Sequence, residues 1–213
     1  MKSAWHIVRE ITSNQSEVLS CKVVENQPLN LWFLYREEEL EVKMNIVLIG
    51  MPTAGKSTVG VILAKIKGFD FVDCDLVIQN QENRLLKEII EQEGIDEFLS
   101  IENRVIASLG VDQSIIATGG SAVYGLEAMQ HLKTIGTVVY LKLSYETIKN
   151  RLRDARQRGV ALRERQTLRK LYDERCPLYE AYADLIIDAE GIGVEELVKR
   201  ICFGIAGSVK NKD

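Results

Sequence analysis

Residues 45–58 read Asn-Ile-Val-Leu-Ile-Gly-Met-Pro-Thr-Ala-Gly-Lys-Ser-Thr. Ile46 to Ile49 form an apolar run without polar alternation, the pattern of a strand buried on both faces of a parallel sheet. Gly50 ends that run, and Gly50 to Ser57 satisfies G-x-x-x-x-G-K-S. From about Lys56 to Ile66, Val59, Ile62, Leu63 and Ile66 recur at helical spacing. A buried strand, a glycine-containing loop and an amphipathic helix are the context this motif needs. Its glycines let backbone N–H groups curl around phosphate oxygens, and the helix N-terminus adds partial positive charge. Lys56 can reach the terminal phosphates as a point charge, and the Ser57 hydroxyl can coordinate Mg²⁺. Pro52 and Thr53 fill loop positions that do not have to be glycine. The stretch predicts a nucleotide phosphate site.

Downstream, strands and helices alternate. Phe69–Val72, Ser114–Ala117, Thr137–Leu143 and Leu185–Ile187 read as further strands. Glu82–Gln92 and Asp96–Leu109, parted by Gly94, read as helices, as do Glu127–Leu132, Tyr145–Gln157, Gln166–Arg175 and Val194–Ile201. Pro177 is expected to end or kink its helix near Cys176. Such an order predicts a parallel sheet with helices on both faces.

Residues 1–43 differ: short apolar patches alternate with polar stretches and Pro28 interrupts them, so a small β element or a flexible leader is expected there. Residues 207–213 read as a frayed tail. Over 213 residues the chain is 46% hydrophobic and 27% charged with net charge −4, a composition that excludes a mainly disordered protein and advertises no nucleic-acid surface. Cys21, Cys74, Cys176 and Cys202 are too far apart in sequence for a metal hook, and His6 and His131 are isolated. Reduced thiols are the default. No apolar signal-peptide core or run of ~20 apolar residues occurs, so a cytoplasmic protein without a membrane segment is expected.

Asp73 and Asp75 follow the second strand, where ligands of open α/β sheets bind. Alternation would put both carboxylates on one side and Cys74 on the other. One could support Mg²⁺ and the other accept a proton from a hydroxyl nucleophile; capping of the following helix is the plainer use. Between Lys149 and Lys170, cations include Arg151, Arg153, Arg156, Arg158, Arg163, Arg165 and Arg169, against only Asp154 and Glu164. In an acidic chain such an island wants an anion, and a nucleoside triphosphate fits better than nucleic acid, since aromatic interleaving is missing.

From about Asn45 to Ile201 the chain resembles the shikimate kinase family, within the nucleoside-monophosphate-kinase-like P-loop proteins. The matches are GMPTAGKSTVG at 50–60, Phe71-Val72-Asp73-Cys74-Asp75, Ala117-Thr118-Gly119-Gly120, the arginines Arg151 and Arg158, and Arg175-Cys176-Pro177-Leu178-Tyr179 with Ala183-Asp184. The resemblance implies a three-layer α/β/α P-loop kinase fold over 44–206, its five-stranded parallel sheet ordered 2-3-1-4-5. It implies substrate-binding helices at about 76–109 and a lid at about 156–167. It implies ATP and Mg²⁺ as cofactors and a small hydroxyacid, shikimate first, as phosphate acceptor. Gly50, Thr53, Ala54, Gly55, Lys56, Ser57, Thr58 and Arg151 would bind nucleotide; Ser57 and Asp73 would hold the metal; Lys56, Asp75 and Arg158 would serve catalysis. Asp75, Leu99, Glu102, Gly119, Gly120, Ser121 and Arg175 would form the acceptor site. Partners would be small molecules, not nucleic acid or membrane, and the chain a monomer or a weak dimer through residues 1–43.

Three positions depart from the family pattern. Where the family has F-R-x-x-E, this chain reads Phe98-Leu99-Ser100-Ile101-Glu102, so an arginine expected on the acceptor carboxylate is absent. The third glycine of G-G-G is Ser121, and the lid reads Arg158-Gly159-Val160-Ala161-Leu162 without a proline. Glu102, without that arginine, is expected to pair with Arg84, Arg104 or a ligand donor. A kinase of another small hydroxylated metabolite, or a nucleotide-binding sensor, are the alternative readings.

Overall fold

The computed structural model describes residues 45–154 and 167–210. The expected appendage at 1–43, the expected lid apart from Thr167, and residues 211–213 lie outside the described residues.

The apolar runs become five strands: β1 (Asn45–Ile49), β2 (Asp70–Asp73), β3 (Ser114–Ala117), β4 (Gly136–Lys142) and β5 (Leu185–Asp188). All pair in parallel, in the order β2-β3-β1-β4-β5. Every residue of β1 and β3 is buried, which takes cover on both faces and accounts for their lack of alternation. The covering helices are α1 (Lys56–Lys67), α2 (Cys74–Glu82), α3 (Leu86–Glu93), α4 (Ile95–Ala107), α5 (Leu126–Ile135), α6 (Tyr145–Asp154), α7 (Leu168–Tyr182) and α8 (Val194–Lys210). Beyond the main core, Ile78, Ile89, Phe98, Ile101 and Val105 make a second apolar cluster within α2, α3 and α4. No described helix is long and apolar enough to cross a membrane.

Several boundaries differ from the sequence expectation. The helix expected over Glu82–Gln92 begins only at Leu86, because α2 ends at Glu82 with Asn83 in the left-handed backbone. Strand β2 stops at Asp73, and the helix α2 starts at Cys74, because the Asp73 carboxylate takes the Asp75 N–H at 3.0 Å as an N-cap. Helix α7 does not end at Cys176 but runs through Pro177 to Tyr182. Proline removes one hydrogen bond there, yet Leu171, Arg175 and Tyr179, four apart, bury one continuous face, and that packing outweighs the loss. Helix α8 extends past residue 206 into the expected tail, as Ile205 continues the core-facing stripe of Leu197, Val198 and Ile201.

At the amino end of β1, the buried Asn45 side chain ties that strand to β3, to the loop before β3 and to the end of α5. Its Nδ2 donates to the carbonyls of Val111 and Ile135 at 2.8 and 3.0 Å, and its Oδ1 accepts from the Ser114 N–H at 2.9 Å. Asn45→Ala would strand those three backbone groups. The expected cost is about 3 kcal/mol or more, seen as a thermal midpoint lowered by roughly 10 °C.

Candidate active site

The loop from Gly50 to Gly55 joins β1 to α1 and sits at the carboxyl end of the sheet, where β2 and β3 also end. Lys56 begins α1 and is only 8% exposed. Its Nζ donates to the Gly50 and Met51 carbonyls at 2.8 and 3.1 Å, so the ammonium is folded back on its own loop. Burial lowers its pKa to about 8; the Asp75 charge opposes that fall, and Arg175 adds to it. Ser57 Oγ donates to Asp73 Oδ2 at 2.8 Å, while the other Asp73 oxygen caps α2. Asp75 thus enters from the first turn of a helix rather than from a strand end. Burial raises its pKa, with Asp73 adding and Lys56 opposing.

One cavity brings together Lys56, Ser57, Asp75, Gly119, Gly120, Ser121 and Arg175, with Pro52, Leu86, Ile90 and Phe98 as its apolar wall. The glycines are required by crowding. A methyl at Gly119 would collide with Glu102 Oε1 and lie 2.9 Å from Asp75 Oδ1; one at Gly120 would lie 2.8 Å from Pro52 Cδ. Gly120 is also fixed from behind, since its carbonyl accepts the Tyr179 hydroxyl at 2.6 Å. Arg175 is 2% exposed. Its Nε donates to the Tyr124 hydroxyl at 3.3 Å, and its guanidinium lies 5.1 Å from the centroid of the Tyr124 ring.

A second groove, lined by Thr53, Ala54, Gly55, Thr58, Arg151, Ile192 and Leu197, adjoins the loop on the other side. Arg151 Nη1 donates to the Thr53 carbonyl at 3.2 Å, which ties α6 to the loop. Thr53 holds φ at +64°, so this position does take the left-handed backbone that glycine adopts more readily. Arg158 lies outside the described residues.

The structure separates the acceptor positions. Leu99 does not line the cavity; it packs half-buried on the second apolar cluster and borders a shallow depression with Tyr124 and Glu174. Glu102 lies beneath Gly119 at 1% exposure, and its Oε1 has no hydrogen-bond partner among the described residues. Neither expected cation reaches it: Arg84 pairs with Glu82 and Glu93, and Arg104 with Glu82 at 2.8 Å. Its nearest relief is Ser121, whose hydrogen bonding lowers a pKa that burial has raised. Sequence reasoning missed Tyr124, for which the only signal was an aromatic residue five positions after Gly119, and the apolar wall of Leu86 and Ile90.

The family model described as shikimate kinase matches residues 52–205. The chain belongs to the shikimate kinase family. The shikimate kinase of Persephonella marina is 35% identical over 158 residues, covering 74% of this chain and 96% of that protein. That of Thermodesulfovibrio yellowstonii is 38% identical, covering 74% and 92%. Among solved structures, the shikimate kinase of Acinetobacter baumannii in complex with shikimate superposes with a TM-score of 0.70 at 32% identity, covering 79% of this chain and 95% of that one. The Aquifex aeolicus shikimate kinase gives 0.67 at 31%, covering 78% and 98%. As a family member with a P-loop kinase fold, the protein is an ATP-using small-molecule kinase.

Burial raises the Glu102 pKa from 4.5 to about 7. Between those values the folded protein keeps a proton that the unfolded chain has released. The stability tied to that proton is fully present below about pH 4.5 and is lost as pH rises through about 7. Glu102→Gln cannot ionise, so its stability relative to wild type should climb by up to roughly 3 kcal/mol between pH 4.5 and 8. Denaturant midpoints across that range measure it, and parallel wild-type and mutant profiles would refute it.

Proposed function

We propose that the protein transfers the γ-phosphoryl group of Mg-ATP to a hydroxyl of shikimate, giving shikimate 3-phosphate and ADP. The observation that supports this most is the single cavity in which phosphate-loop, carboxylate, paired-glycine and arginine groups converge. In the reaction the acceptor oxygen bonds to the γ-phosphorus, the bond from that phosphorus to the bridging oxygen of ADP breaks, and the hydroxyl proton passes to Asp75. The raised pKa of Asp75 suits a carboxylate that must take up a proton. Lys56 leaves its loop carbonyls for the phosphates and follows charge onto the transferred group. Arg175 receives the acceptor carboxylate, while Gly119 and Gly120 let the acceptor lie against backbone.

Mg²⁺ suits the donors present. Ser57 and Asp73 bring two hard oxygens together at 2.8 Å, and no described cluster of three or more His, Cys, Asp or Glu residues could hold a metal by itself. A cation sharing its coordination with phosphate and water fits that arrangement. When bound, Mg²⁺ neutralises phosphate charge during transfer. Arg151 would flank the adenine side. Arg158, by the resemblance, would close over the phosphates. The acceptor would be a small hydroxyacid rather than nucleic acid or lipid, in a cytoplasmic monomer.

Lys56→Ala should lower turnover at least ~10³-fold, since the lost charge acts on the moving phosphoryl group. Coupled ADP release on the folded mutant measures this, and activity within tenfold of wild type would defeat the assignment. Asp75→Asn should cut turnover while leaving Mg-ATP affinity, by calorimetry without acceptor, nearly unchanged.

One observation favours a second reading, a related small hydroxylated acceptor. Leu99 brings no cation to the cavity, so an arginine–carboxylate contact worth about 1.5–3 kcal/mol is missing. Shikimate KM should therefore fall at least tenfold in Leu99→Arg. If it stays level or rises, position 99 does not reach a carboxylate of the bound acceptor, and a panel of small hydroxyacids and amino alcohols, with shikimate included and an ATP-only blank, identifies the acceptor directly.

A further inference from the structure

Thr53 combines two features that cost the nucleotide-free loop stability. Its φ of +64° is a left-handed conformation that a β-branched residue rarely takes and that glycine would hold without strain. Its Oγ1 is shut off from solvent and has no hydrogen-bond partner among the described residues. A buried hydroxyl left unpaired is destabilising, and such features cluster at ligand sites. The backbone at this position is held from outside, because the Thr53 carbonyl takes the Arg151 guanidinium. The residue also borders both the acceptor cavity and the groove beside Arg151, so it stands where the two meet.

We propose that Thr53 is a phosphate-binding residue through its side chain: rotation about Cα–Cβ turns Oγ1 out of the interior, and its O–H donates to an oxygen of the nucleotide's polyphosphate chain. This rests on the ATP reading of the loop and not on the identity of the acceptor. Polyphosphate oxygens only accept, and a hydroxyl donor meeting an anionic oxygen makes the stronger, charge-assisted kind of hydrogen bond. Lys56 is folded inward in the same way, donating to Gly50 and Met51. Two donors of one loop are thus turned onto the protein and both can swing to the anion. Among the described residues the hydroxyl has no partner to give up when it does so, which makes its movement favourable on nucleotide binding.

Calorimetry with Mg-ATP and with inorganic tripolyphosphate, on wild type, Thr53→Ser, Thr53→Val and Thr53→Gly, tests the assignment. Thr53→Ser keeps the hydroxyl and should bind both probes within threefold of wild type. Thr53→Val keeps the shape and Thr53→Gly removes the strain; each should bind both probes at least tenfold more weakly. Without nucleotide, Thr53→Val should melt no lower than wild type, since it removes an unpaired buried hydroxyl. If Thr53→Val or Thr53→Gly binds within threefold of wild type, the proposal fails. It fails equally if Thr53→Val melts several degrees low, which would make the hydroxyl structural. A wild type that binds neither probe overturns the nucleotide reading along with it, whereas losses confined to the variants lacking the hydroxyl uphold both.

Discussion

Lys56, Glu102 and Arg175 are withdrawn from water together at the carboxyl end of the sheet, each at most 8% exposed. An isolated ion could not be held there, since effective desolvation costs several kcal/mol per charge. The arrangement survives because the charges alternate in sign and each has local relief. Lys56 leans on its loop carbonyls, and Arg175 on the ring and hydroxyl of Tyr124. Asp75 and Glu102 face the two cations from the other side, and of all these groups Glu102 is the least compensated. Compensation works only at close range, which is why Gly119 and Gly120 leave no room for a Cβ. The glycines, the tyrosine and the buried ions answer one constraint.

The parallel register supplies the convergence. With β1 between β3 and β4, the chain segments leaving β1, β2 and β3 all emerge on one side. The phosphate loop, the Asp73–Asp75 turn and the paired glycines then meet without any long loop to order. Arg175 comes from distant sequence on α7, and it is the buried face of that helix, carried through Pro177, that delivers it. Tyr179 completes the link by holding the Gly120 carbonyl. A helix that broke at Cys176 would leave Gly120 without this support.

Much of this could be read from the residues because local signals agreed with the global fold. The run Ile46–Ile49, the loop motif and the stripe of α1 each pointed the same way, and the strand order followed from the family resemblance. What stayed illegible depended on contacts far apart in sequence. Nothing local to Pro177 says that burying Leu171, Arg175 and Tyr179 outweighs one lost hydrogen bond. Alternation placed Asp73 and Asp75 on one strand face, whereas the capping bond of Asp73 starts a helix between them. The sequence pairs Glu102 with Arg84, Arg104 or a ligand donor, yet the two arginines spend their charge on Glu82 and Glu93. Tyr124 had no motif at all, since its importance comes from where the guanidinium of Arg175 lies.

The acceptor half of the site departs from the family resemblance at Leu99 and Ser121, and the structure sets these two apart: Ser121 lines the cavity and Leu99 does not. By the family resemblance an arginine would stand at position 99; here Leu99 carries no charge, and the hydrogen bond from Ser121 lowers a Glu102 pKa that burial has raised. On that reading the loss to an anionic acceptor would be one charge-assisted contact, about 1.5–3 kcal/mol. Against it stands preorganisation: Tyr124 holds the Arg175 guanidinium by face and by Nε, so less side-chain freedom is lost when a carboxylate arrives. Immobilising a rotamer-rich side chain costs about 0.5–1.5 kcal/mol, which bounds what this clamp can recover. The recovered amount is smaller than the lost contact, so one fixed arginine does not replace two. A residual deficit of about 1 kcal/mol, several-fold in affinity, is what these terms leave. On the proposed acceptor site, such a deficit would weaken binding of a carboxylate ligand without abolishing it, while Leu99 lies apart from the phosphate loop, whose donors Lys56 and Ser57 line the cavity.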